Sequence, residues 1–142
     1  MEIRAVYRPD RLGGCTYPLA RAPASAGFPS PADDFLEKRL DLNEYLIGNP
    51  AATFFVRVAG DSMQGAGIHD GDILVVDRSL AAEAGHVVIA VLGGEMVVKR
   101  LRRAQGKWWL VPENPHYRPL EIAEESGLVI WGVVMHVIHT LR

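Results

Sequence analysis

From residue 53 onward the chain alternates short apolar runs with turn-forming clusters. Thr53-Phe54-Phe55-Val56-Arg57-Val58 is β-branched and aromatic and stops at Ala59-Gly60, so it predicts a strand over Phe54–Val58. The same pattern predicts strands at Ile73–Asp77, Val87–Leu92, Glu95–Leu101, Trp108–Pro112, Pro119–Ile122 and Trp131–Thr140. Strands of this length and spacing imply a mostly β fold, either a β-sandwich or a partly open barrel. Gly93-Gly94 is a hairpin-turn signal, and an antiparallel return about it sets Val88 opposite Lys99. Period-two alternation then places Val97, Lys99 and Leu101 on one face. The last strand is apolar on both faces over Val133–His139. As a free edge it would invite aggregation, so a covering partner is expected.

The first part of the chain reads differently. Pro9, Gly13-Gly14, Pro18 and Pro23 interrupt every period in Met1–Phe28, which predicts an irregular arm and excludes a helix-turn-helix there. Ser30-Pro31-Ala32-Asp33 has the residues of a helix start, with Ser30 as N-cap and Asp33-Asp34 at the positive helix end, and predicts a short helix to about Arg39. Asp41 offers a second cap, for a helical turn ending at Gly48-Asn49-Pro50. The expected organisation is a flexible N-terminal arm over residues 1–30 and a β-rich domain over 31–142.

Composition narrows the function classes. The chain has 142 residues and is 49% hydrophobic, enough for a real core. It contains no apolar run near the roughly 18 residues of a membrane span. Charges within Met1–Asp10 argue against a secretory leader, and Cys15 is the only cysteine, so a cytoplasmic location is expected. With 15 basic and 17 acidic residues, strong direct nucleic-acid binding is not expected. Arg100, Arg102, Arg103 and Lys107 form a local exception, read as a solvated hairpin end with a docking patch as the alternative. His69, His86 and His116 lie in or beside turns without metal-ligand spacing, so neither metal nor cofactor is expected. His136 reads as a core or interface residue and His139 as a surface one. At most one of Trp108 and Trp109 should be fully buried. Asp72 is a candidate brace for the turn after Gly60.

That turn carries the chemistry of interest. Gly60-Asp61-Ser62-Met63 closes an apolar strand, and Lys99 sits on the apolar face of another. Burial lowers the pKa of a lysine amine, and a neutral lysine can take the proton of a serine, which alone is a weak nucleophile. The residues leave two readings of Lys99 open: a desolvated base, or a surface lysine snorkelling to the sheet edge.

Phe54–Met63, Gly67–Asp77 and Gly94–Leu101, with Ala26–Asp34, Leu110–Asn114 and Gly132–Ile138, resemble the LexA/UmuD family of self-cleaving serine peptidases, on its UmuD side. The resemblance covers about four-fifths of the chain. It implies the C-terminal β fold of that family, Ser62 as nucleophile, Lys99 as general base, and the backbone N–H groups of Asp61 and Ser62 as oxyanion hole. It also implies self-cleavage at Ala26-Gly27. The partners it implies are a second copy of the chain in a homodimer, a RecA nucleoprotein filament that stimulates cleavage, and a UmuC-type polymerase in translesion synthesis. The alternative is a non-catalytic dimerisation and polymerase-docking subunit with the same fold, and a third reading is a peptidase acting on other proteins.

Overall fold

The computed structural model describes residues 1–9, 17–20 and 36–142. Its strands are β1 (Glu2–Tyr7), β2 (Tyr17–Ala20), β3 (Leu36–Leu40), β4 (Thr53–Ala59), β5 (Ile73–Asp77), β6 (Val87–Leu92), β7 (Glu95–Ala104), β8 (Lys107–Val111), β9 (Leu120–Glu121) and β10 (Val129–Ile138). One short helix, α1, spans Leu42–Leu46. Among the described residues, eight strands form one sheet in the order β1-β4-β5-β10-β6-β7-β8-β9. A further β1–β7 pairing closes the first six of these into a barrel. The mostly β expectation holds, and every strand predicted after residue 53 is present.

The β6–β7 hairpin turns at Gly93-Gly94 and pairs Val88 with Lys99, as the turn position requires. β6 is a continuous apolar run because both of its faces are covered, whereas β7 is apolar at Met96–Val98 and Leu101. Ile89 and Val98 join Val56, Val58, Met63, Ile68, Leu74 and Val76 in one core cluster. Val88, Ala90 and Leu101 join Leu110 and Val133 in the other. Lys99 therefore stands in the alternation of Leu101 and Val97, on a face that is largely removed from water.

Three expectations are corrected. Glu2–Tyr7 is a strand rather than irregular chain: the breakers begin only at Pro9, Ile3 and Ala5 alternate inward, and β4 offers an edge that β1 fills. Residues 36–40 form β3, paired with β2, in place of the end of a helix to Arg39. The predicted start of that helix at Ser30 lies outside the described residues, as do Cys15, Ala26 and Gly27. The long terminal strand is not an edge. β10 lies between β5 and β6, so the chain itself covers it. The second helical turn forms where predicted, with the Asp41 carboxylate accepting the Asn43 N–H at 2.9 Å.

The interior position of β10 makes a direct prediction. Val133 is 2% exposed and Met135 is 47% exposed on the same strand. Val133→Asp should cost at least about 3 kcal/mol by burying an unpaired charge, whereas Met135→Asp should stay within about 1 kcal/mol. Urea unfolding of the two variants measures this, and equal losses would contradict the assigned register.

Candidate active site

The sequence at the end of β4 forces a sharp turn and then anchors it. Gly60 has φ +101°, a conformation that side chains disfavour, and its N–H donates to the Asp70 carboxylate at 2.8 Å. Met63, three residues on, is fully buried in the first core cluster. Ser62 is thus pinned between a glycine turn and a core anchor, and is only 1% exposed. Asp70, rather than Asp72, braces the turn. The buried Asp72 instead accepts the His69 N–H at 2.7 Å and pairs with His139 at 2.5 Å, so His139 is tied to the barrel.

Lys99 extends from β7 so that its Nζ lies 3.0 Å from Ser62 Oγ. The nitrogen of Met1 lies 2.6 Å from the same oxygen. Burial pushes the Lys99 amine below its ordinary value, partly opposed by its hydrogen bond with the Met1 amine. The Met1 amine is lowered from 8.0 to about 6, first by burial and then by repulsion from Lys99, with Asp61 and Glu2 acting in the opposite direction. Two amines thus crowd one buried hydroxyl, and the site favours releasing a proton. A neutral amine in contact with a hydroxyl can accept its proton.

A second segment, between β8 and β9, holds the turn from the other side. The Glu113 N–H donates to the Ser62 carbonyl at 2.8 Å, and the Gly65 N–H donates to the Glu113 carbonyl at 2.8 Å. A β-carbon on Gly65 would stand 2.7 Å from that carbonyl oxygen, so the approach requires glycine. The Asn114 side-chain amide donates to the Asp61 carbonyl at 2.9 Å, and the Tyr117 hydroxyl bonds to the Asp61 carboxylate, which raises the tyrosine pKa. The Tyr117 ring lies 5.6 Å from Lys99 Nζ. Arg100 fixes this segment from beneath, bonding to the Glu113 carboxylate at 2.5 Å and to the Gly85 carbonyl at 2.6 Å. Arg100 is therefore part of the scaffold rather than of a solvated hairpin end, while Arg102 and Arg103 are exposed.

The Asp61 carbonyl and the Ser62 N–H belong to one peptide plane, so Asn114 fixes the direction of that N–H. Among the described residues, neither the Asp61 nor the Ser62 N–H donates to another group. Glu113, Asn114 and Tyr117 were not singled out by sequence reasoning. The available signal was the Pro112-Glu113-Asn114-Pro115 stretch, polar residues fixed between prolines directly after an apolar strand. His136 lies against Tyr45 and His86 accepts the Glu83 N–H, away from Ser62 and Lys99. Trp108 and Trp109 are both only partly buried.

The Peptidase S24-like family matches residues 18–135, a span that holds Ser62, Lys99 and the Pro112–Tyr117 segment. The chain belongs to this family. Membership in Peptidase S24 assigns a serine-peptidase kind of activity. Protein ImpA of Salmonella typhimurium is 46% identical over 140 residues, covering 96% of this chain and 94% of the relative. Protein SamA of Salmonella typhimurium strain LT2 is 50% identical over 127 residues, covering 89% and 88%. Protein MucA of Escherichia coli is 47% identical over 113 residues, covering 79% and 77%. These relatives are UmuD-like proteins, in agreement with the LexA/UmuD resemblance of the sequence. Among the described residues no helix is long and apolar enough to cross a membrane.

The depressed amines of this Peptidase S24 member give stability a definite pH dependence. Between the folded pKa of Lys99 and 10.5, the unfolded chain holds a proton that the folded chain has released, so stability rises with pH across that window. It is lost as pH falls through the folded value. The Met1 amine acts with the same sign between about 6 and 8.0. Lys99→Met should flatten the upper part of the rise in urea midpoints measured from pH 6 upward. Parallel pH profiles for variant and parent would contradict the burial of this amine.

Proposed function

We propose that this protein is an autopeptidase that cuts its own Ala26-Gly27 bond, with Ser62 as nucleophile and Lys99 as general base. The observation that carries this reading is the 3.0 Å approach of a desolvated lysine amine to the oxygen of a buried serine, in a chain of a peptidase family. In the proposed reaction neutral Lys99 takes the Ser62 proton as Oγ attacks the Ala26 carbonyl carbon. The oxyanion that forms is stabilised by the N–H groups of Asp61 and Ser62, the second of them aimed by Asn114. Collapse breaks the carbon–nitrogen bond, and the Lys99 ammonium returns the proton to the departing Gly27 amine. Water then hydrolyses the acyl ester at Ser62, with Lys99 again as base. Glycine at the new terminus allows close approach to the nucleophile turn. Because nucleophile and scissile bond belong to one chain or one dimer, effective molarities of about 10⁵–10⁸ M can offset a slow dyad.

The same reading places the reaction in the SOS response. A RecA nucleoprotein filament stimulates the cut, and the shortened homodimer serves a UmuC-type polymerase in translesion synthesis. Its support is the family and the UmuD-like relatives. Mass spectrometry of the purified protein after incubation with RecA, single-stranded DNA and nucleotide should show a large fragment that begins at Gly27. Ser62→Ala and Lys99→Ala should each abolish it, while the parent's rate should rise with pH and level off below 10.5. A fragment beginning elsewhere, normal cutting by either variant, or a rate maximum near pH 6.5 would overturn the assignment. An intact parent under all these conditions would favour the non-catalytic docking subunit.

Asn114 gives a separate prediction. Asn114→Ala frees the Asp61-Ser62 peptide without touching the hydroxyl or the amine, so cleavage should slow by roughly tenfold or more with its pH profile unmoved. An unchanged rate would remove Asn114 from the site.

A further inference from the structure

We propose that β1 occupies the peptide groove beside Ser62, as an extended strand of the chain itself that the cleavage segment must displace before the hydroxyl can react. This inference rests on the autopeptidase reading above, and it adds a competitor within the site. β1 runs antiparallel along β4 from Glu2 opposite Ala59 to Tyr7 opposite Phe55. It covers the β4 edge not taken by β5, and its first residue lies where β4 passes into the Gly60–Met63 turn. A strand edge of this kind is a ready receptor for any extended peptide, through main-chain hydrogen bonds.

The head of β1 blocks the reacting atom. Attack on a carbonyl needs its carbon within about 3–3.5 Å of Oγ, and the Met1 nitrogen already stands 2.6 Å away. With β1 in place, Ser62 has almost no surface left for a substrate. The Met1 nitrogen bonds to the same Ser62 oxygen that Lys99 Nζ reaches, the position that an amine released by peptide cleavage must take to receive its proton. β1 is thus held as a cleavage product would be.

The hold is suited to exchange. β1 meets β7 only at Glu2 opposite Val97. Beside that single pairing lies a cavity of about 510 Å³ lined by Met1, Glu2, Ile3, Glu95, Met96 and Val97. The β4 register shifts between Ile3 and Ala5, and Val6 and Tyr7 are 41% and 50% exposed. Of β1, Ile3 packs against the core, together with Met1 just ahead of the strand. Release of one terminal strand is a local opening, and local openings cost less than global unfolding.

Two experiments on the full chain test the inference and separate it from the cleavage reaction. In the first, Cys15→Ser and Ser62→Cys place a single thiol at the site, and its alkylation by iodoacetamide is timed with and without Ile3→Asp. Undocking β1 should speed alkylation about tenfold, and equal rates would overturn the proposal whether or not the protein is a peptidase. In the second, Ala5→Cys and Arg57→Cys, which face each other across β1 and β4, are combined with Cys15→Ser. Oxidation should slow cleavage at Ala26-Gly27 at least tenfold and a reductant should restore it. Full-rate cleavage by the disulfide-locked chain would overturn the inference. A parent that never cuts itself would instead overturn the reaction, leaving the alkylation rates to decide the role of β1.

Discussion

The contact between the Lys99 amine and the Ser62 hydroxyl is the interaction on which the rest of the structure depends. An ammonium in water has no tendency to give up its proton near neutral pH, and a serine hydroxyl has little nucleophilicity. Removing the amine from water weakens its charged form, and placing it 3.0 Å from the hydroxyl gives the neutral form something to deprotonate. The surrounding scaffold serves those two conditions. The β6–β7 hairpin sets Lys99 opposite buried Val88, and the Gly60 turn delivers Ser62 to the same place.

Holding such a pair demands rigidity on both sides. The Met63 anchor and the Asp70 bond fix the turn from the barrel, and the Glu113–Tyr117 segment fixes it from outside, itself held by Arg100. The carbonyls of Asp61 and Ser62 are both engaged, so the two peptide planes that flank the serine have little freedom. In a low-dielectric setting, donors that need no reorientation stabilise developing charge far better than donors in water. The strand that closes the barrel is the one that directly follows Met1, the residue whose nitrogen rests on Ser62. Barrel closure and access to the site are thereby linked through β1.

Much of this was legible in the sequence. The strands after residue 53, the Val88–Lys99 register and the Asp41 cap follow from local patterns whose period and turn chemistry survive in the fold. What escaped depended on partners distant in the chain. Glu2–Tyr7 has a weak alternation that becomes a strand only because β4 leaves an edge beside it. The last strand carries the same apolar pattern whether it is an edge covered by another subunit or an interior strand, and only topology distinguishes the two. Arg100 read as solvated because nothing local announces Glu113 across the β7–β8 pair. Ser62 and Lys99 could be named from turn and face, but no spacing along the chain foretold that the Met1 amine would join them.

The protonation of Lys99 is the most direct measure of this account. An NMR titration of the Lys99 side chain, followed through its Cε signal in the folded protein, should give a midpoint clearly below 10.5. At any given pH a larger share of the amine would then be neutral, and able to act as base toward Ser62, than for a lysine in water. A midpoint at the ordinary lysine value would mean that the amine reaches water after all, and the proposed base would be absent.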